Sequence, residues 1–249
     1  MINVVVGLPR SGTTATMKAL EAGGLSPVRT PRPRHGVPGM FDKSTVDPAL
    51  IAGLTPAEHL RLREDVSRYR FYEPSPEQVY AEGFPFNHPD ESVVKMILEG
   101  SPRTELPTFT NPILGMTFHQ YMARGEPGYR VLMIYRHPRE IRVSNEDSLD
   151  WGGGALASVG YLTDEWYGRA MGEMARYLRS RTDVHSFTKI QYAPNFDPHL
   201  PALLGDQVEI FEGLAAEGWP IDAAAAAATI DPTKRSVREE DLPLNRAVA

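Results

Sequence analysis

Cysteine is missing from this chain altogether, which removes disulfides, thiolate nucleophiles and zinc-thiolate sites together. Long apolar runs are missing as well. No stretch approaches the roughly eighteen consecutive apolar residues that a membrane-crossing helix needs, so no integral membrane segment is expected. The apolar start at Ile2 to Val6 meets glycine and arginine too soon to act as a secretory core. Positive charge is not in excess: Lys+Arg is 26 against Asp+Glu 32, a formal charge of -6, and the average composition gives no electrostatic case for a nucleic-acid partner. A cytoplasmic location is the default expectation, although a chain without cysteine is chemically compatible with any compartment. No internal repeat is visible and no linker divides the chain.

With 41% hydrophobic and 23% charged residues over 249 positions, there is apolar material for a sizeable core. Ile2 to Val6 is short, apolar and rich in β-branched residues, which predicts a strand buried on both faces. Gly7 to Gly12 supplies a turn, Thr13 to Ala22 a helix with Thr13, Met17 and Leu20 on one face, and Gly23-Gly24 a stop. Strand, loop and helix follow without slack, as in the first βα unit of a parallel sheet. SVVKMIL at 92–98 and YRVLMIY at 129–135 predict further core strands, and Asp183 to Tyr192 a weaker one. Helices are expected from Thr55 to about Tyr69, from after Pro112 through His119 to about Arg124, over Leu162 to Leu178, and around 206–217 and 222–229. The long helix should turn Trp166, Ala170, Met174 and Tyr177 or Leu178 to a common side. The expected fold is α/β: one three-layer domain over 1–249, its mostly parallel central sheet flanked by helices in the manner of P-loop nucleotide-binding proteins. A Pro-, Arg- and Gly-rich excursion around 27–90 would lie on the acceptor side.

The opening VVVGLPRSGTT has the glycines and terminal hydroxyl of a phosphate-binding loop, but Thr13 stands where GxxxxGK[ST] requires lysine. The backbone part of the mechanism survives: glycines permit a tight turn, and the helix start offers unpaired N–H groups and the favourable dipole end. Ser11, Thr13 and Thr14 add hydroxyls, and Arg10 a planar cation suited to terminal phosphate or sulfonate oxygens. A plain strand-to-helix turn would explain the glycines but not the arginine and three hydroxyl residues. G-x-G-x-x-G is absent, so a dinucleotide site is the weaker reading.

A second anchor follows the strongest later strand. In RHPREIRVS at 136–144, Arg136 falls just past a strand's carboxyl end, where such sheets place ligands, and Ser144 lies on the helix that follows. A magnesium-dependent ATPase would more naturally carry an aspartate there. The segment therefore favours a second phosphate over a metal ligand.

Together the two segments resemble the sulfotransferase superfamily, whose donor is 3'-phosphoadenosine 5'-phosphosulfate (PAPS). Its PKSGTT or PRSGTT loop corresponds to PRSGTT at 9–14, and its R-x-P-x-[DE]-x-x-x-S segment to 136–144. The resemblance implies that Arg10, Ser11, Gly12, Thr13 and Thr14 hold the 5'-phosphosulfate and that Arg136 and Ser144 hold the 3'-phosphate. Tyr192 in IQYAPNFDP is similar to a family tyrosine near the adenosine. Lys234 and Arg235 in IDPTKR resemble a C-terminal basic segment near the donor, although the R-K-G-x-x-G-x-W form is missing. The implied activity is sulfuryl transfer to a hydroxyl or amine of a small-molecule or glycan acceptor, with no metal.

Arg10 would stabilise charge electrostatically, since arginine stays protonated. A hydroxyl acceptor also needs a base. Where many family members have a K-T-H-like segment, VVKMILEGSPRTEL offers Lys95, Glu99 and Glu105 and no histidine. Glu99 is the first candidate base, with Glu105 and His88 as alternatives; His119, among Met116, Phe118 and Met122, reads as part of a packed helix face. Two other readings stay open: a P-loop phosphotransferase or ATP-dependent kinase with a displaced lysine, and an inactive nucleotide-binding or assembly protein. The sequence leaves oligomeric state open.

Overall fold

A computed structural model describes residues 1–8, 10–27, 90–97, 110–111, 116–117, 128–141, 144, 164–194 and 196–233. Its centre is a five-stranded sheet made of β1 (Ile2–Gly7), β2 (Ser26–Pro27), β3 (Ser92–Ile97), β6 (Tyr129–Tyr135) and β7 (Val184–Gln191), in the order β2-β3-β1-β6-β7. All four pairings are parallel. Two-residue strands β4 (Thr110–Asn111) and β5 (Met116–Thr117) pair antiparallel in a separate ladder. The helices are α1 (Thr13–Ala22), α2 (Asp164–Ser180), α3 (Gln207–Ala216) and α4 (Ala223–Ala228).

The layers follow from side-chain alternation along the strands. Val4 and Val6 of β1 and Val131 and Met133 of β6 face α2, which contributes Tyr167, Ala170, Met171, Met174 and Leu178. Val5 and Leu132 face the other way, onto Met17 and Leu20 of α1, Phe211 and Leu214 of α3, and Ala226 of α4. Covered on both sides, the central strands have every residue of β1 and β6 buried, which is why they read as continuous apolar runs. The result is the three-layer α/β architecture expected from the sequence.

One detail differs from expectation. Met116 and Thr117 form a strand, not part of a helix beginning after Pro112. Asn111 precedes proline and is biased to extended backbone, which favours the short ladder over a helix start there. Ser26–Pro27, where the chain enters the expected excursion, forms an edge strand on β3, where proline is tolerated. The helix from Thr55, most of the 27–90 excursion and the rest of the helix to Arg124 lie outside the described residues, as does the Trp166 side chain.

Candidate functional site

The loop after β1 sits at the carboxyl edge of the sheet, on its middle strand, with β3 on one side and β6 on the other. Gly7 is required there by space: a Cβ would land on Ser11 Oγ and within 2.9 Å of Thr13 Cγ2. The Ser11 N–H donates to the Leu8 carbonyl at 3.2 Å and closes the turn. Arg10 has φ 65°, a left-handed conformation that costs a non-glycine residue about 1–2 kcal/mol. Gly12, at φ 98°, is the N-cap of α1 and makes no side-chain cap hydrogen bond, so the helix presents its first N–H groups without a side-chain cap. Ser11 Oγ is fully buried and has no hydrogen-bond partner among the described residues.

Neighbouring strand ends close on this loop from both sides. From β6, Arg136 donates from Nη1 to the Arg10 carbonyl at 2.7 Å and from Nε to Glu140 Oε2 at 2.9 Å. Both partners of this ion pair are buried, Arg136 at 3% exposure and Glu140 at 0%. Residues 138–141 are helical, which puts Glu140 one turn beyond Arg136. Ser144 Oγ accepts from Arg10 Nε at 3.1 Å. The two segments, 126 residues apart at Arg10 and Arg136, are thus in direct contact. From β7, Tyr192 lies flat under the Arg136 guanidinium, 4.6 Å from ring centroid to Cζ, and covers Gly12. From β3, buried Lys95 reaches α1 and donates from Nζ to Thr14 Oγ1 at 2.9 Å. A cation from the adjacent strand therefore stands at the loop that lacks its own lysine.

Behind the site, Tyr167 of α2 accepts the Arg136 backbone N–H at 2.9 Å. Burial pushes the Tyr167 hydroxyl well above its ordinary range, against the opposing effect of that hydrogen bond. Burial also pushes the Tyr135 hydroxyl up to about 12. Gln191 secures the chain beyond Tyr192: its amide nitrogen donates to the Asp197 and Leu200 carbonyls, both at 2.7 Å. Its oxygen accepts the Phe196 and Asp197 N–H groups. Phe196 is thereby held against Tyr135 and Tyr167.

Of the residues singled out in the sequence, Arg10, Ser11, Gly12, Thr13, Thr14, Arg136, Ser144 and Tyr192 gather around the loop. Glu99, Glu105, His88, Lys234 and Arg235 lie outside the described residues. Sequence reading missed the parts played by Glu140, Lys95, Tyr167 and Gln191. Two of these carried a signal: Glu140 stands four residues after Arg136 on a helix, and Lys95 is the one charge inside an otherwise uncharged core strand. No such signal marks Tyr167 or Gln191.

This is a parallel α/β sheet whose carboxyl edge carries a glycine-hinged loop; among the described residues, the loop's own Arg10 is joined there by Lys95 and Arg136 and by the buried carboxylate of Glu140. No protein-family model matches the chain, and none of the curated proteins does. Among solved structures, a retinol dehydratase in complex with androsterone and the inactive cofactor PAP is similar over 96% of this chain and 61% of that chain, at 17% identity and a TM-score of 0.36. The chain thus spans less than two thirds of that protein's length, and a likeness at that score carries no argument. Among the described residues, no helix is long and apolar enough to cross a membrane.

Proposed function

We propose that this chain is a sulfotransferase of the PAPS-dependent kind, moving a sulfuryl group to a hydroxyl or amine of a small-molecule or glycan acceptor. One observation carries the reading. The loop and the RHPREIRVS segment, each matching one half of a donor-binding pair, close on each other through Arg136 and the Arg10 carbonyl at 2.7 Å and through Arg10 and Ser144 at 3.1 Å. A ligand with two separated phosphates is what such a junction would hold. The start of α1 and the hydroxyls of Thr13 and Thr14 suit the 5' end, and the Arg136–Ser144 corner suits the 3'-phosphate. The buried Ser11 hydroxyl, which has no partner among the described residues, adds a group that a bound anion would satisfy.

In the reaction, the acceptor atom bonds to sulfur as the bond between sulfur and the phosphate oxygen breaks. The acceptor proton passes to a base, and adenosine 3',5'-bisphosphate (PAP) departs. Arg10 and Lys95 supply positive charge where the sulfonate and departing phosphate need it, in a site that desolvation strengthens. Glu99, Glu105 and His88 remain the proposed bases. Calorimetry tests the reading. PAP should bind about 10- to 100-fold tighter than ADP or 5'-AMP, the worth of charge-assisted hydrogen bonds to one phosphate, and Arg136→Ala should erase most of that preference. ADP binding as tight as PAP would overturn it.

A second reading is favoured by one observation, Lys95 Nζ at 2.9 Å from Thr14 Oγ1. That contact restores an ammonium to the loop from a neighbouring strand, as a phosphotransferase with a displaced lysine would need. Magnesium-dependent ATP turnover abolished by Lys95→Met would select it.

A further inference from the structure

We infer that Glu140 is a positioning residue: by holding Arg136, it keeps the Arg10 peptide in its left-handed conformation and so sets the shape of the loop. The inference deepens the reading above and rests on it only for the identity of the ligand.

Glu140 is completely buried, and the Arg136 side chain is nearly so. A buried ion pair is seldom retained for stability, because desolvating both charges offsets most of their attraction and an apolar pair of similar size would serve as well. Its yield here is direction. The Arg136 fork is fixed on one edge by Glu140 at 2.9 Å and on one face by the Tyr192 ring at 4.6 Å. Held that way, Nη1 meets the Arg10 carbonyl at 2.7 Å. The peptide it grips belongs to the only described non-glycine residue with positive φ. Such a conformation persists where surrounding contacts over-determine it, and the Glu140–Arg136–Arg10 chain is such a contact. The backbone of Arg136 is pinned independently by the Tyr167 hydroxyl, so the side chain has a fixed base from which to reach.

Hydrogen exchange on the ligand-free protein tests this without assuming any ligand. In Glu140→Ala, amides of the segment 8–16 should exchange about tenfold faster, the loss of one charge-assisted contact, while those of α2 and β7 keep their rates. Glu140→Gln retains an acceptor for Arg136 Nε and should recover part of the protection. Unchanged exchange in segment 8–16 in both variants, or an equal rise in α2 and β7, would overturn the inference. Should the Glu140 variants fail to fold, Arg136→Lys keeps the charge beside Glu140 but cannot span both partners. It should loosen the same segment, and wild-type exchange there would refute the idea. Titration with PAP separates the two readings: a loosened loop in a protein whose wild type binds no PAP leaves the positioning role standing and removes the proposed donor.

Discussion

Replacing Gly12 by alanine tests the geometry of the site in the absence of any ligand. Gly12 has φ 98°, where an L-residue is strained by about 1–2 kcal/mol. The new Cβ would overlap Tyr192 Cδ2 and sit 3.0 Å from its Cε2. The ring cannot retreat freely, because the Arg136 guanidinium lies on it at 4.6 Å. Forcing it aside adds an overpacking cost of about 1–3 kcal/mol and weakens a cation–π contact worth about 0.5–2 kcal/mol. Gly12→Ala should therefore destabilise the fold by roughly 2.5–7 kcal/mol in urea titrations followed by circular dichroism, the sum of these contributions. In a Tyr192→Ala background the steric part vanishes, and the same substitution should cost only the backbone part, about 1–2 kcal/mol. The double-mutant cycle would then show a coupling of about 1.5–5 kcal/mol, the overpacking and cation–π parts together. Equal costs in the two backgrounds would refute the placement of Tyr192 on the loop, and with it the closure of β7's end on the site.

Three further outcomes follow from the same contacts. Tyr167→Phe leaves the Arg136 N–H buried without its acceptor and should lower stability by about 1–3 kcal/mol, measured by urea unfolding. Gln191→Glu sets a carboxylate against the Asp197 and Leu200 carbonyls and should cost about 3 kcal/mol, with thermal melting as the check. Lys95→Met keeps the buried stem and removes the ammonium, so stability should stay within about 1.5 kcal/mol of wild type while PAP affinity by calorimetry falls about tenfold. For pH, Tyr135 is held protonated by burial, its hydroxyl pushed up to about 12. Its contribution is complete below the unfolded value near 10 and is lost as pH rises from there through the folded value. Tyr135→Phe should accordingly flatten the decline in urea midpoint above about pH 10.

What could be read from the sequence was what neighbours along the chain decide. β1 and α1 are contiguous, and their apolar periods, the Gly12 hinge and the Gly23 stop are local facts, so their bounds emerged nearly as found. YRVLMIY declares a buried strand by itself, and Pro138 a helix start behind it. Strand order depends on pairings between distant segments, and no local pattern encodes that β1 would lie between β3 and β6. The contacts that define the site are of this second kind: Lys95 to Thr14 crosses 81 residues, and Arg10 to Ser144 crosses 134. Where local pattern misled, at Met116, apolar residues spaced for a helix sat beside an Asn-Pro step whose backbone preference favours the short ladder.

The topology also explains how a loop without lysine acquires its charge. In a parallel sheet every strand delivers its carboxyl end to the same edge, so the ends of β3, β6 and β7 surround the end of the middle strand β1. Lys95 and Arg136 arrive from opposite flanks because β3 and β6 are β1's two neighbours, and Tyr192 arrives one strand further out. Charge placed this way is tied to the sheet, not to a mobile loop, and each cation is met by a group that fixes its direction: Thr14 for Lys95, Glu140 for Arg136 and Ser144 for Arg10. A site assembled from three neighbouring strands gains, in the Arg136 fork, a directional donor that a lysine inside the loop would supply only as a point charge. Its cost is dependence on distant pairings, so substitutions at Tyr167 or Glu140 should register at the loop although neither side chain belongs to it.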